Sequence, residues 1–306
     1  ADPRHPLTAR VIVNRIWMHH FGRGLVATPA DFGVLGSPPT HPELLDWLAA
    51  ELIDSGWSLK HVHRLIVGST TYRQAVRSDP GLIADDPDNL LYGGASLRRL
   101  DAEALRDSLL AVSGCLNADV GGPPVTVMAD NVGRWVLGIE NLDAGRPGAK
   151  IDIGADAFRR SVYVEARRSR PLTVLDAFDW PRMAPNCELR RASTVAPQSL
   201  LFLNSDFTLS TSERLALRVE TEAGEERAAQ VDLAWRLAYG RPPDESERAS
   251  ALEFLATQTS TFAAAQQPEA AEKSKQQAPE PPSPARRALE TLCQMLISSN
   301  EFLYVD

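Results

Sequence analysis

Apolar residues recur at helical spacing through most of the chain, and this spacing predicts a mainly α-helical protein. The first such segment, residues 7–21, is apolar on nearly all sides, which is typical of a buried helix. Gly22 follows it and is expected to end that helix. A leucine-rich stripe then follows Thr40 and Glu43, whose spacing predicts a capping box. Ser58 is predicted to cap a third helix.

The helical period is lost in the middle of the chain. Amphipathic helices are predicted within residues 6–115 and again within residues 197–306, whereas residues 125–168 lack that pattern. Within this middle region, residues 135–139 and 161–166 are rich in β-branched and aromatic side chains, which favours short strands. The sequence therefore predicts a mainly α, helical bundle-like single unit with a small β insertion.

Residues 261–285 have a different composition from the helices around them. They are dominated by Ala, Gln, Glu, Lys, Ser and Pro, and such a segment cannot bury enough apolar surface to order itself. We predict a disordered insertion here, followed by a last helix over residues 285–299. One family domain over residues 1–306 is the resulting prediction for the domain organisation.

Composition and charge exclude several classes of protein. The apolar share of 43% and the charged share of 24% are ordinary for a soluble globular chain. The formal net charge of −8 argues against a nucleic-acid-binding protein, which needs a basic face. No apolar run approaches the roughly 20 residues of a membrane span, so no membrane-spanning helix is predicted. No signal peptide starts the chain.

The cysteines argue against the common metal and haem motifs. Cys115, Cys187 and Cys293 are far apart, and none of them belongs to a C-x-x-C motif. The sequence therefore predicts no haem attachment, no zinc ribbon and no cofactor in this chain. We expect Cys115 and Cys293 to be buried free thiols, because both fall on apolar helix faces.

Ionisable side chains are concentrated in the apolar N-terminal stretch, where perturbed groups can serve catalysis. The candidate catalytic residues are Arg15, His19, His20, Asp31 and His41. The alternative is that these are structural residues, because adjacent histidines on a helix point about 100° apart and no H-E-x-x-H motif is present. A loop aspartate such as Asp31 commonly caps a turn. The sequence predicts no metal site from these residues and leaves open whether any histidine binds a metal.

A second group of charged residues is a cluster of arginines around residues 159–170. Arginine forks bind carboxylates, sulfates and phosphates in a bidentate manner, so the cluster is a candidate anion or acidic-glycan subsite. The candidates are Arg159, Arg160, Arg167 and Arg168, and Arg170, Arg190 and Arg191 extend the cluster. Pairing with the chain's own acidic side chains is the favoured interpretation, because 40 acidic residues outnumber 32 basic ones.

Long ordered motifs resemble those of a known family. They are NRIWMHHFGRGLV, DFG, PTHPELLDWLA, GWSLKHVHRLI and TYRQ, followed by RRLDAEALRDSLLAVSG, STVAPQSLLFLN and SNEFLYVD. The chain resembles the planctomycete-type domain of unknown function 1553 over almost its whole length. In that family the domain is the C-terminal module of large exported proteins that often carry a cytochrome c-like domain. The resemblance therefore implies an exported or periplasmic location, with neighbouring domains of the same polypeptide as partners.

Two functions follow as expectations. The first is a non-catalytic structural or binding module of a larger exported multidomain protein, with a polysaccharide as a further partner. It depends on the resemblance and on the lack of a catalytic signature in the sequence. The second is an enzyme, a hydrolase or a metal-dependent enzyme, whose site is built from the N-terminal histidines, arginine and aspartate. The arrangement of those side chains in space distinguishes the two.

Overall fold

The protein is described here from a computed structural model, which covers residues 2–76, 79–181, 187–190, 192–265 and 282–305. The mainly α fold predicted from the sequence is confirmed, since the strands form only short antiparallel pairs. The chain divides into two compact units. Unit 1 comprises Ala1–Arg99, Asn186–Arg190 and Tyr304–Asp306, and unit 2 comprises Leu100–Pro185 and Arg191–Leu303. The single family domain over residues 1–306 stays a prediction.

Unit 1 is built on four helices and one short strand pair. The helices are α1 (Thr8–Phe21), α2 (Pro42–Asp54), α3 (Leu59–Gly68) and α4 (Pro80–Asp85), and the strands are β1 (Arg98–Arg99) and β6 (Tyr304–Val305). The core lies between α1, α2 and α3, where Val13, Leu25, Leu52 and Val62 are fully buried. As predicted, α1 ends at Gly22, which adopts a left-handed conformation and donates its N–H to the carbonyl of Met18.

A buried amide ties α1 to the loop that follows it. The Nδ2 atom of Asn14 donates to the carbonyl of Val26 at 3.0 Å, and its Oδ1 atom accepts the N–H of Val26 at 2.8 Å. A Cβ atom on Gly24 would lie only 2.7 Å from the Asn14 amide, so glycine is required there. Both polar ends of Asn14 are thereby satisfied, as a fully buried amide requires.

The capping box predicted at Thr40 and Glu43 is wrong. The N-cap of α2 is His41, and the helix receives no side-chain cap. The N–H of Thr40 donates instead to the carbonyl of Leu25 at 2.9 Å, and its hydroxyl donates to the same carbonyl at 3.4 Å. Thr40 is thus held against the preceding loop. The predicted cap at Ser58 is confirmed, because its hydroxyl accepts the N–H of His61.

Unit 2 contains the remaining α-helices and two short strand pairs. Its helices are α5 (Ala102–Val112), α6 (Thr173–Ala177), α7 (Ala196–Asn204), α8 (Asp206–Ala223), α9 (Arg227–Tyr239), α10 (Glu245–Ala265), α11 (Pro284–Ile297) and α12 (Asn300–Leu303). Helices α8 to α11 pack around Leu215, Val231, Ala234 and Leu289, all fully buried. Antiparallel pairs join β2 (Val127–Ala129) to β3 (Trp135–Leu137) and β4 (Ile139–Glu140) to β5 (Lys150–Ile151). Nowhere in the described ranges is a helix both long and apolar enough to cross a membrane.

The strand predicted over residues 161–166 is wrong. Ser161–Tyr163 forms a 3-10 helix, and only Val164 makes an isolated bridge, to Val125. The reason lies in α5, where buried Arg106 donates to the carbonyl of Arg159 at 2.9 Å. Asp107 accepts the N–H of Ser161 at 2.7 Å. Asp107 thereby takes the N–H of Ser161 that a strand would use for pairing, and Arg106 fixes the backbone just before that segment.

The strand predicted over residues 135–139 is confirmed in the hairpin of β2 and β3 and in the start of β4. The predicted disordered insertion over residues 261–285 is wrong at both ends. Helix α10 continues to Ala265, and α11 begins at Pro284. Residues 266–281, which make up most of the predicted insertion, lie outside the described residues.

Candidate functional site

Seven ring-bearing side chains of unit 1 meet near the C-terminal end of α1. We call this set the ring cluster. Its members are Trp17, His20, Phe21, His41, His63, Tyr72 and Tyr92. They come from α1, from the N-cap of α2, from α3 and from the two loops that follow α3 and α4.

The ring contacts form a continuous path from His20 to His41. Trp17 stacks on Phe21 with ring centroids 4.2 Å apart. Tyr72 and Tyr92 present edge-on contacts to Phe21 at 6.0 and 5.3 Å. His20 lies 5.4 Å from Tyr72, and His41 lies 5.7 Å from Tyr92. Each aromatic pair adds about 0.5–1.5 kcal/mol beyond its buried area, so the cluster stabilises unit 1.

His20 is held by a second imidazole. Its Nε2 atom lies 2.8 Å from the Nδ1 atom of His63, and one ring donates the shared proton while the other accepts it. Burial lowers the pKa of His20, and the positive charge that His63, Arg98 and His19 can carry lowers it further. His20 is therefore neutral at neutral pH, and the pair serves as a hydrogen bond between α1 and α3.

The C-terminal end of α1 is closed by a guanidinium. Arg98 on β1 donates from Nη1 to the carbonyl of His19 at 2.9 Å and to the carbonyl of His20 at 3.2 Å. A cation at this position satisfies free helix carbonyls and opposes the negative end of the helix dipole. Arg98 thus fixes the last turn of α1 that presents His20 to the cluster.

The other end of the ring cluster is centred on Tyr92. Tyr92 adopts a left-handed backbone conformation with φ of +52°. Burial raises the pKa of its hydroxyl. His41 lies beside it, with Nδ1 3.0 Å from the hydroxyl of Thr40. The buried Nε1 atom of Trp17 makes no hydrogen bond of normal geometry within the described part of the chain, although the Tyr92 hydroxyl is near enough to interact with it.

The five candidate catalytic residues lie in three environments. His20 and His41 belong to the ring cluster but do not contact each other, since Phe21 and the two tyrosines separate them. Arg15 and His19 are exposed on one face of α1. Asp31 is exposed in a separate loop, where Oδ1 accepts the N–H of Gly33 at 2.8 Å. The turn-capping interpretation of Asp31 is confirmed, and the catalytic roles stay predictions.

No group of three or more His, Cys, Asp or Glu side chains in the described ranges converges closely enough to hold a metal ion. The cysteines remain free thiols. Cys293 is buried, as expected, and burial raises its pKa. Cys115 is only half-buried, so the expectation of a buried thiol is wrong there. Its thiol reaches the surface beside Arg214, whose Nη1 atom lies 3.5 Å from the sulfur.

The four candidate anion-binding arginines belong to unit 2, and three of them are engaged within the chain. Buried Arg159 donates to the carbonyls of Pro123 and Gly121 and lies over the ring of Tyr163. Arg160 pairs with Asp107 at 3.5 Å, and Arg167 pairs with Glu165 at 3.0 Å. Pairing with the chain's own acidic residues is therefore confirmed for Arg160 and Arg167. Arg168 is exposed and Arg191 lies outside the described residues, so anion binding stays a prediction.

Sequence patterns did not indicate three members of the ring cluster: His63, Tyr72 and Tyr92. His63 lies 43 positions from His20, and only the packing of α3 on α1 brings the two together. The spacing of His61 and His63 does show that they point apart. His61 accordingly faces Glu51 at 2.8 Å, on a different side of α3.

One family model covers all of the candidate residues described above. The sequence model of a family described as PSD1, a protein of unknown function (DUF1553), matches residues 1–255. That range contains the ring cluster, the five candidate catalytic residues and the arginine cluster. A search of curated proteins and a search of solved structures each found no match.

Proposed function

The chain belongs to the family of proteins of unknown function DUF1553, and we propose that it is a non-catalytic structural or binding module of a larger, exported multidomain protein. The separation of the five candidate catalytic residues carries this proposal. Acid–base and nucleophilic catalysis need groups within hydrogen-bond reach of each other and of one reacting atom. His20 instead bonds to His63, and Asp31 bonds to its own turn.

A β-ribbon in unit 2 supports the structural part of the proposal. Strands β4 and β5 form a two-stranded pair whose residues are exposed, and Ile139 pairs directly with Ile151. Leu142, which follows β4, is 81% exposed. Exposed apolar side chains grouped on one surface are typical of an interaction site. We infer that a neighbouring domain of the same polypeptide covers this ribbon.

Two exposed aromatic side chains support binding of a polysaccharide. Trp47 on α2 is 48% exposed, and Tyr72 of the ring cluster is 42% exposed. Such side chains combine a large apolar face with a polar edge, which matches the alternating apolar and hydroxyl surfaces of a sugar ring. Asp46 beside Trp47 is paired with Arg10 at 2.6 Å, whereas Glu43, one turn from Trp47 on α2, adds a negative charge, so a neutral polysaccharide fits this surface better than an acidic one.

The test is binding of the purified chain to insoluble neutral polysaccharides such as cellulose, xylan and chitin. We expect Trp47→Ala and Tyr72→Ala to reduce the bound fraction by about fivefold or more, as loss of an aromatic contact does elsewhere. Leu59→Ala is the matched control, because Leu59 is 50% exposed on α3. Equal binding by all four proteins would contradict the assignment of this surface.

A further inference from the structure

Two adjacent aliphatic side chains of unit 1 project fully into solvent. Val34 is 102% exposed and Leu35 is 93% exposed, as much as in an extended peptide. They lie between Gly33 and Gly36, in the loop that joins α1 to α2. We call Val34 and Leu35 the aliphatic tip. A folded chain gains nothing internally from two large apolar side chains in this position, so the tip requires another explanation.

The loop that carries the aliphatic tip is held by its own hydrogen bonds. The N–H of Asp31 donates to the carbonyl of Thr28 at 3.0 Å, and the N–H of Gly36 donates to the carbonyl of Gly33 at 3.0 Å. The hydroxyl of Thr28 accepts the N–H of Ser37 at 2.9 Å. A Cβ atom on Gly36 would lie 2.0 Å from the carbonyl oxygen of Asp31, so only glycine allows this closure. The tip is therefore presented by a defined loop.

The loop is almost free of charge. Residues 24–40 contain a single ionisable side chain, Asp31. Its carboxylate accepts the N–H of Gly33 at 2.8 Å, within the loop itself. A surface that enters an apolar phase must satisfy its backbone N–H groups and must avoid unpaired charge. The N–H groups of Asp31, Gly33, Gly36 and Ser37 are satisfied inside the loop, whereas those of Val34 and Leu35 have no partner among the described residues and stay hydrated at an interface.

We propose that the aliphatic tip inserts into the interface of a zwitterionic lipid bilayer. A bilayer needs no shaped pocket, and it accepts a convex apolar tip as it is. A protein pocket normally adds about one hydrogen bond per 100–200 Å², and four of the loop's N–H groups, at Asp31, Gly33, Gly36 and Ser37, are already used internally. A second copy of the chain would need about 800 Å² on each partner, which two side chains do not provide.

The net charge of −8 sets the type of lipid, because an acidic chain is repelled by anionic headgroups. The strength follows from the size of the tip. Val34 and Leu35 together carry roughly half as many side-chain carbons as a myristoyl chain, whose own binding is marginal at about 10⁴ M⁻¹. The tip alone therefore binds weakly and reversibly.

The experiment is flotation of the full chain with phosphatidylcholine vesicles at millimolar lipid. We expect a Val34→Ser, Leu35→Ser double variant to reduce the floated fraction by about fivefold or more. Val120→Ser is the matched control and should float like the wild type, because Val120 is 91% exposed in unit 2. Adding phosphatidylserine to the vesicles should lower the floated fraction, and added salt should not release the protein from pure phosphatidylcholine.

A second variant reports insertion directly. Leu35→Trp should show an added, blue-shifted emission with these vesicles, relative to the wild type, and brominated phosphatidylcholine should quench it. Absence of flotation by the wild type, or equal flotation by the double variant, would overturn the proposal. Flotation without quenching of Leu35→Trp would also overturn it, because the tip would then not be the inserted part.

Discussion

The Nε2 atom of His20 lies 2.8 Å from the Nδ1 atom of His63, and this hydrogen bond joins the last turn of α1 to α3. One proton serves both rings, so the bond exists only while at least one ring is neutral. The guanidinium of Arg98, held on the carbonyls of His19 and His20, makes a second positive charge at this point unfavourable.

Stability should therefore fall in mild acid. The pKa of His20 is lowered from its ordinary value of 6.5, so below that pH the unfolded chain binds a proton that the folded chain resists. The contribution of His20 is fully present above about pH 6.5 and is lost as the pH falls further. Urea denaturation between pH 8 and pH 5 should show this decline in the free energy of unfolding.

His20→Gln should flatten that pH dependence. His5→Gln is the matched control, since His5 is an exposed histidine near the N-terminus, and it should retain the wild-type slope. If the free energy of unfolding of His20→Gln depends on pH as steeply as that of the wild type, His20 is protonated equally easily in the folded and unfolded chains. That result would contradict the role assigned to the His20–His63 hydrogen bond.

The amide of Asn14 should contribute strongly to the stability of unit 1. Asn14→Ala leaves the buried N–H and carbonyl of Val26 without partners, and the loss should be about 2–4 kcal/mol of unfolding free energy. Arg15→Ala, on the neighbouring exposed position, should change it by about 0.5 kcal/mol or less. Equal effects of the two substitutions in urea denaturation would contradict this assignment.

Arg106 should be the most sensitive charged position of unit 2. Burial lowers its pKa to about 10, so it remains a cation at neutral pH, and it donates to the carbonyls of Ala157 and Arg159. Arg106→Leu should cost about 3 kcal/mol or more, and Arg106→Lys should cost less because it keeps the charge. The adjacent Arg160→Leu should cost under about 1 kcal/mol. Thermal or urea unfolding separates these outcomes.

Asp244 should act as a helix cap. Its carboxylate accepts the N–H of Glu247 at 2.8 Å, and Glu247 accepts the N–H of Asp244 in return. Asp244→Ala should lower the free energy of unfolding by about 1 kcal/mol, whereas exposed Ser246→Ala should leave it nearly unchanged. The guanidinium of Arg241 lowers the pKa of Glu247 to about 2, so Glu247 keeps its stabilising charge above about pH 4.5 and loses it towards pH 2.

The local elements were predictable where the deciding interactions lie within a few residues. The end of α1 at Gly22 and the cap at Ser58 both follow from short patterns. The strand expected over residues 161–166 did not form because Asp107, more than fifty positions away, takes the N–H of Ser161, and Arg106 holds the carbonyl of Arg159 just before it. Thr40 does not cap α2 for a similar reason, because its N–H and its hydroxyl donate to the carbonyl of Leu25 in the preceding loop.

The candidate site was predictable only in part. The sequence singled out His20 and His41 because ionisable groups in an apolar helical stretch are unusual. It did not indicate that His63 would satisfy His20, or that Tyr92 would cover His41, because those pairs depend on how α3 and the loop after α4 pack. Helix propensity and residue spacing predict which side chains are neighbours along one helix, whereas the ring cluster joins side chains from several segments that are distant in the sequence.

The central claim is that the five candidate catalytic residues of unit 1 have structural roles and do not form a catalytic site. The most direct measurement is turnover by the purified chain, supplied with divalent metals, against panels of glycosides, carboxylic esters and phosphate esters. Wild type, His41→Ala and Asp31→Asn are measured side by side, with melting temperatures to confirm that all three are folded. We expect the same background rate, that of the buffer, from all three proteins. Turnover by the wild type that either folded variant abolishes would contradict the account and establish the enzyme alternative.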